Sequence, residues 1–261
     1  MASVRQGPRG TQSLHRALRL VVEVARADGE GMRLTELVGR SGLDSSTAHR
    51  MLCCLVDEGL LQRGDDRRYR LGRQTFELGL AAERQFAEHI RARPVLSRLA
   101  TALGETVFLS VRNTAETVCL ERVSGEDGAA LRTNVGTRRP LGIGAGGMAL
   151  LAAMRPADAE ALVRSNEPAY RSFGRDTPVL LRRRLEAAQR DGFALTESYF
   201  ASGILGIGVV VPPTASAPPL AISVVGRASR LPRGQRQAVA LQLRAAAEEV
   251  ARSITGSATP R

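Results

Sequence analysis

The sequence predicts an α+β protein in two parts, a small helical module that ends in a hairpin and a larger domain with a mainly antiparallel sheet. Three observations support this fold class. Three short amphipathic helices and a polar hairpin occupy residues 13–73. After Gly104 the hydrophobic pattern changes from helical to strand-like, with two strands on either side of a polar turn. Two further apolar strands, at 206–211 and 220–225, are separated by two proline pairs.

Length and composition exclude several classes of protein. The chain has 261 residues, 43% of them apolar, which is enough for the packed core of one or two domains. No apolar run approaches the ~18 residues of a membrane span, and the first ten residues lack an apolar signal core. We therefore expect a cytoplasmic protein with no membrane partner. Three cysteines and three histidines without ligand spacing predict no disulfide framework, no metal site and no cofactor.

The helices of the first module have clear start and stop signals. Apolar spacing predicts a first helix from Ser13, as its cap, to about Ala27 and a second helix from Thr35 to about Ser41. Asp44 can cap a third helix, and Gly59 occupies the usual position just after a helix ends.

A hairpin follows the third helix. Two short strands, 60–63 and 68–71, flank the polar turn at 64–67. The order helix, helix, turn, helix, hairpin is the layout of a winged helix-turn-helix, which predicts a DNA-binding domain.

The side chains that would contact double-stranded DNA lie in two places. A recognition helix presents its first turns to the major groove, where hydroxyls reach phosphates or base edges and arginine can contact guanine at two atoms. The hairpin arginines could contact phosphates or the minor groove. The predicted DNA-binding residues are Ser45, Ser46, Thr47, His49, Arg50, Arg67, Arg68 and Arg70. The alternative is that these are ordinary capping residues, solvent-facing residues and a solvated turn.

The net charge of +11 does not single out this module. Residues 1–90 contain 14 arginines and 12 acidic residues, whereas residues 91–261 contain 23 arginines and 14 acidic residues. The DNA-binding prediction therefore depends on the order of the elements and on the arginine-rich hairpin rather than on total charge.

The rest of the chain alternates helices and strands. A glycine-rich stretch at 136–147 precedes a helix predicted at 148–154, and further helices are predicted at 91–103, 180–191 and 235–254. The predicted parts are a flexible arm at 1–12, a DNA-binding domain at 13–73, a linker helix at 74–90, a second, α+β domain at 91–255 and a tail at 256–261.

The glycine stretch also permits a different class of function. Gly142, Gly144 and Gly147 match the G-x-G-x-x-G pattern of dinucleotide-binding loops, so the alternative is a nucleotide-using enzyme built on the Gly142–Gly147 loop. Residues 138–141 form a poor central strand because proline lacks an N–H for the ladder. All three histidines precede residue 90, outside the domain that could hold a pocket. We therefore predict that the protein is not an enzyme.

Taken together, the motifs resemble the IclR family of transcriptional regulators from about Thr11 to Ile254. The similarity depends on the joint order and spacing of many short pieces. The matching segments are 13–18, 34–38, 42–52, 58–61, 68–72, 91–96, 104–107, 135–136, 139–141, 226 and 229–231.

The resemblance implies a homodimer or homotetramer, with the first helix and the linker helping the subunits to pair. It implies a GAF-like C-terminal domain whose small-molecule effector, often an organic acid or aromatic metabolite, controls operator binding or promoter activity. The family's pocket positions fall here on Leu131, Ala145, Gly146, Thr196, Ile204, Gly206 and Ser223.

This sequence departs from the family's usual pocket residues. Met148 replaces a frequent lysine, Thr196 a common acid and Gly206 a frequent cysteine. Gly142-Ile143-Gly144 replaces a common His-Ala-Thr run. We therefore expect a less polar pocket than is usual in the family.

Overall fold

The computed structural model describes residues 11–27, 29–126, 131, 133–173, 178–197, 202–215 and 217–255. The predicted arm up to residue 10, and the tail at 256–261, lie outside these residues. The chain divides into two compact units, Met1–Ala87 and Glu88–Arg261.

The first unit contains the predicted winged helix-turn-helix, with three helices around one core. Leu20, Leu37 and Leu52, one from each helix, are completely buried together with Tyr69 of the hairpin. Its elements are α1 (Gln12–Ala25), α2 (Leu34–Ser41), α3 (Ser45–Asp57), β1 (Leu61–Arg63), β2 (Tyr69–Leu71) and α4 (Arg73–Ala82).

Two details of this unit differ from the sequence prediction. Thr11, not Ser13, is the N-cap position of α1, and no side chain caps that helix. The hairpin also gains a third short segment, because Met32 and Tyr69 exchange two backbone hydrogen bonds of 2.9 and 2.8 Å. This pairing requires glycine at position 31, where φ is +72° and an added Cβ would lie 2.8 Å from the Tyr69 carbonyl oxygen.

The predicted linker helix at 74–90 is interrupted. Helix α4 ends at Ala82, and a single 3₁₀ turn covers Glu83–Gln85. Phe86 then leaves the helical region with φ −127° and ψ 52°, which breaks the hydrogen-bond ladder. The next helix begins at Glu88, three residues before the predicted start at Arg91, so Pro94 lies in its interior rather than in its first turn.

The second unit is an α+β domain with one six-stranded sheet in the order β5-β4-β3-β8-β7-β6, and every strand pair is antiparallel. The predicted fold class is therefore confirmed. Its elements are α5 (Glu88–Leu103), β3 (Thr106–Asn113), β4 (Glu116–Val123), β5 (Arg138–Pro140), α6 (Gly144–Ala152), α7 (Pro156–Tyr170), α8 (Pro178–Asp191), β6 (Ala194–Glu197), β7 (Ile204–Val210), β8 (Leu220–Arg227) and α9 (Arg236–Thr255).

The sheet separates two hydrophobic clusters. Val107, Leu109, Ile222 and Val224 contribute to the cluster that contains α5 and α9. A second cluster joins α6, α7 and α8 with the turn before α6. Residues that alternate with the four named ones therefore face the α6 side of the sheet.

Helix α6 begins at Gly144, four residues earlier than the sequence predicted. Gly142 and Gly144 have φ of +99° and +76°; Gly142 lies in the turn, Gly144 is the first residue of the helix, and Ala145, Gly146 and Gly147 follow it. The preceding strand β5 has three residues and pairs antiparallel with β4 at the sheet edge. This is not the strand–loop–helix unit of a parallel dinucleotide-binding sheet, so the geometry gives no support to the enzyme alternative.

Candidate DNA interface and ligand pocket

The start of α3 is fixed by one carboxylate. Asp44 Oδ1 accepts hydrogen bonds of 2.8 Å from the Thr47 backbone N–H and from Ser46 Oγ. These bonds, with that from Thr47 first, lower the pKa of Asp44 to about 2. The cap therefore stays ionised at neutral pH and holds the first turn of α3 in place.

The predicted reading residues form an exposed face on this helix. Ser45, Ser46, His49 and Arg50 are exposed, and Thr47 is half-buried. Among the described residues, the Arg50 guanidinium has no hydrogen-bond or ion-pair partner. Five donor-bearing side chains are thus placed at the first turns of a recognition helix, with an arginine available for an external acceptor.

The three hairpin arginines have different surroundings. Arg70 forms a two-point ion pair with Asp66, of 3.0 and 2.7 Å, and this pair holds the pKa of Asp66 well below its usual range. Arg68 Nη1 donates to the Gly31 carbonyl oxygen at 2.9 Å and lies 3.5 Å from a Glu36 carboxylate oxygen. Arg67 is exposed at the hairpin tip with φ +60°. Of the three, Arg67 is the best placed for a phosphate, whereas Arg68 and Arg70 also stabilise the hairpin.

The second candidate site lies where the first turn of α6 meets the sheet. A Cβ added to Gly208 would be 2.4 Å from the Ala145 carbonyl oxygen, so the helix backbone lies directly on β7. A Cβ added to Gly146 would be 3.2 Å from Ser110 Oγ and 3.4 Å from Ser223 Oγ. Glycine thus allows the helix start to approach a sheet face that carries hydroxyl groups.

Five of the seven predicted pocket residues meet at this place. A Cβ added to Gly206 would lie 3.0 Å from Ala145 Cβ and 3.4 Å from Thr196 Oγ1. Gly146 and Ser223 complete the group, and both Thr196 and Ser223 are buried. Ile143 occupies the N-cap of α6 and makes no side-chain hydrogen bond, so no side chain of the described residues caps the helix start.

The other two predicted residues are less closely connected. Leu131 is half-buried, and its carbonyl oxygen accepts a 3.3 Å hydrogen bond from Arg122 Nη1. Ile204 is half-buried at the start of β7, opposite Arg227. The described contacts do not join either residue to the group around Ala145.

Ser110 was missed by the sequence prediction. It lies on β3 between Leu109 and Val111, which pack on the opposite side of the sheet. The alternation of this strand is a signal that could have placed Ser110 on the α6 side. Within the described ranges no three His, Cys, Asp or Glu side chains group as metal ligands, and no described helix is both long and apolar enough to span a bilayer.

Comparison with known proteins gives matches to both units. Residues 13–65 match the IclR helix-turn-helix domain, and residues 88–252, more than half of the chain, match the bacterial transcriptional regulator IclR C-terminal domain. An HTH-type transcriptional regulator of Mycobacterium tuberculosis is 32% identical over 210 residues, 77% of each chain. The regulator BhcR of Paracoccus denitrificans is 28% identical over 97% of this chain and 89% of its own.

Solved structures show the same fold. An IclR homologue from Microbacterium hydrocarbonoxydans, complexed with 4-hydroxybenzoate, is 27% identical and has a TM-score of 0.71 over 94% of this chain and all of its own. An IclR family regulator from Brucella abortus, 22% identical, has a TM-score of 0.75 over 98% and 94% of the two chains. With both domain models matched in order, the chain belongs to the IclR family of bacterial transcriptional regulators.

Proposed function

We propose that this regulator reads its operator with α3 and the hairpin tip, and that a small organic acid or aromatic metabolite bound between α6 and the sheet controls the outcome. The surroundings of Arg50 are the observation that supports DNA binding by α3. This arginine is exposed beside Ser46 and His49 and has no partner among the described residues. Arg67 at the hairpin tip adds a second cation for the phosphate backbone.

Replacement of Arg50 tests the DNA interface. We expect Arg50→Ala to weaken binding to the DNA upstream of its own gene by about 1–3 kcal/mol, because one contact to a base is lost. Fluorescence anisotropy at fixed salt measures the affinity. Arg190→Ala, an exposed arginine of α8 in the other unit, is the matched control and should bind like the wild type. If Arg50→Ala binds with wild-type affinity, Arg50 does not read the operator.

The effector part is supported by the chemistry around Ala145. The uncapped start of α6 offers backbone N–H groups to an anion, and buried hydroxyls of Thr196 and Ser223 lie on the facing strands. A relative that is 27% identical is complexed with 4-hydroxybenzoate, an aromatic acid. A small acid therefore fits this site better than a cation or a nucleotide.

A ligand screen tests the effector site. We expect at least one compound in a thermal-shift panel of hydroxybenzoates and short carboxylates to raise the melting temperature of the wild type. Calorimetry with Thr196→Val should then show about three- to tenfold weaker binding of that compound, because a hydrogen bond is lost. Thr101→Val, at an exposed position of α5, is the control. Undiminished binding by Thr196→Val would place the effector elsewhere.

The proposal includes self-association as a homodimer or homotetramer. Leu14, Leu18 and Val22 recur every four residues along α1 and are exposed by 60%, 49% and 38%. Phe76 and Leu80 on α4 are also exposed, by 64% and 52%. An apolar stripe of this kind on a short helix supports pairing with a second copy of the chain.

We place the regulator with its DNA in the cytoplasm, and we infer no catalytic role because the curated relatives are regulators.

A further inference from the structure

Thr106, at the start of β3, has a buried hydroxyl for which the described part of the chain supplies no hydrogen-bond partner. Its side chain is completely buried, and Oγ1 has no hydrogen-bond partner among the described residues. We propose that Thr106 is a specificity-determining residue of the effector site and donates a hydrogen bond to a hydroxyl or carbonyl oxygen of a hydroxylated or oxygenated carboxylic acid. This inference depends on the effector site proposed above.

The strand register places Thr106 on the pocket side of the sheet. Thr106 lies opposite Val225, Val225 opposite Gly206, and Gly206 opposite Thr196. Directly opposed residues of antiparallel strands point to the same face. Because Gly206 faces Ala145 of α6, the Thr106 side chain is on the α6 side as well.

Packing alone does not require a hydroxyl at this position. Valine has the same branched shape, favours strands equally and carries no buried polar atom. A hydroxyl that is buried without a partner costs free energy relative to valine. An effector oxygen that accepts a hydrogen bond from the hydroxyl offsets this cost and gives the threonine a role in ligand binding.

The position also restricts the ligand. Thr106 and Gly206 are two strand spacings apart, or roughly 10 Å across the sheet. An acid whose carboxylate meets the uncapped start of α6 can therefore present a second oxygen toward Thr106. Arg122 of the neighbouring strand β4 lies opposite Phe108, two residues along β3 from Thr106, and therefore on the same face. It adds positive charge, although its Nη1 donates to Leu131, Thr133 and Asn134.

Matched pairs of acids test the inference. Benzoate is compared with 4-hydroxybenzoate, and butyrate with 4-hydroxybutyrate, by thermal shift and calorimetry on the full chain. In the wild type we expect the hydroxylated member of at least one pair to bind about three- to tenfold more tightly. Thr106→Val should abolish that preference, whereas Thr106→Ser, which keeps the hydroxyl, should retain it.

The unliganded variant provides an independent measurement. Thr106→Val should melt at the wild-type temperature or above it, since the substitution removes no hydrogen bond to the residues that the structure describes. A fall of several degrees would show that the hydroxyl stabilises the fold and would overturn the inference. So would a hydroxyl preference that survives in Thr106→Val, or a wild type that shows none. If no acid in the wider panel binds the wild type, the proposed effector site itself fails.

Discussion

Asp44 connects the local sequence of α3 with the pH dependence of the fold. The carboxylate accepts two hydrogen bonds at the start of the helix, and its pKa falls from 3.8 to about 2. A carboxylate with a lowered folded-state pKa stabilises the protein above its unfolded pKa, and this contribution is lost as the pH falls toward the folded value. The contribution is therefore complete above about pH 5 and disappears between about pH 4 and pH 2.

We expect Asp44→Ala to lower the melting temperature at pH 7 and to have little effect near pH 2. Circular dichroism melts at several pH values measure the difference from the wild type. Asp57→Ala, at the opposite end of α3, is the control, because a carboxylate there opposes the helix dipole and its removal costs nothing. A difference that stayed constant with pH would show that the cap acts through packing rather than charge.

Residues differed in how well the sequence predicted them. The Asp44 cap was predicted because an acidic residue before an amphipathic helix has a local signature. The role of Gly226 had no such signature. A Cβ at this position would lie 2.3 Å from the carboxyl carbon of Glu105, a completely buried residue that pairs with Arg230 at 2.8 Å. The pairing between these distant residues exists only in the folded sheet.

At the level of elements, α1 has two apolar faces. Leu20 and Val24 are buried in the core of the unit, whereas Leu14 and Leu18 remain exposed. A single surface helix of a monomer needs only one apolar stripe, so the second one is available to another chain. We expect the exposed stripe to be buried in the proposed homo-oligomer.

A charge in the exposed stripe tests this expectation. Leu18→Glu should shift the protein toward a smaller species in sedimentation velocity at micromolar concentration, because a carboxylate cannot be buried there without a partner. Arg19→Glu introduces the same residue at an exposed position about 100° around the helix and should leave the oligomer intact. Equal sedimentation of Leu18→Glu and the wild type would exclude this face from the interface.

The elements that the sequence predicted best are those with their own stop signals. Helices α2 and α3 end beside Gly42 and Gly59, both with positive φ, close to the expected positions. The start of α6 was wrong by four residues because glycines disfavour helix in isolation, and only contact with β7 and β8 compensates. Strand β6 was missed since its four residues gain strand structure by pairing with β7.

For the whole molecule, each unit has its own buried core, so each should fold without the other. We expect a fragment of residues 88–261 to be soluble and to melt cooperatively by circular dichroism. It should also retain acid binding, because the residues around Ala145 belong to this unit.

The length of the fragment provides the control. Removal of α5 takes Leu96 and Ala100 from the core beneath the sheet, so a fragment of residues 106–261 should be unfolded or insoluble. An unfolded 88–261 fragment would show that the second unit needs the first.

The overall organisation was predicted more completely than the candidate effector site. Local periodicity predicts a helix-rich domain followed by a strand-rich one, and the resemblance to the family implies the same order. The candidate effector site combines residues from β3, β6, β7, β8 and α6, which are far apart in sequence, and the alternation within one strand does not show which other elements it meets. Ser110 and Thr106 were found only once the register was known.

The three cysteine thiols differ in exposure, so a fluorophore can be attached selectively to α3. Cys53 and Cys54 are exposed on α3, whereas Cys119 is buried, and burial, together with the nearby Glu121 charge, raises the pKa of its thiol to about 12. Maleimides react with thiolates, so Cys119 is protected at neutral pH while the two thiols of α3 are accessible. In Cys54→Ser, a maleimide fluorophore would attach at Cys53, one helical turn from Arg50. Its quenching or polarisation would then report operator occupancy from the recognition helix without any engineered cysteine.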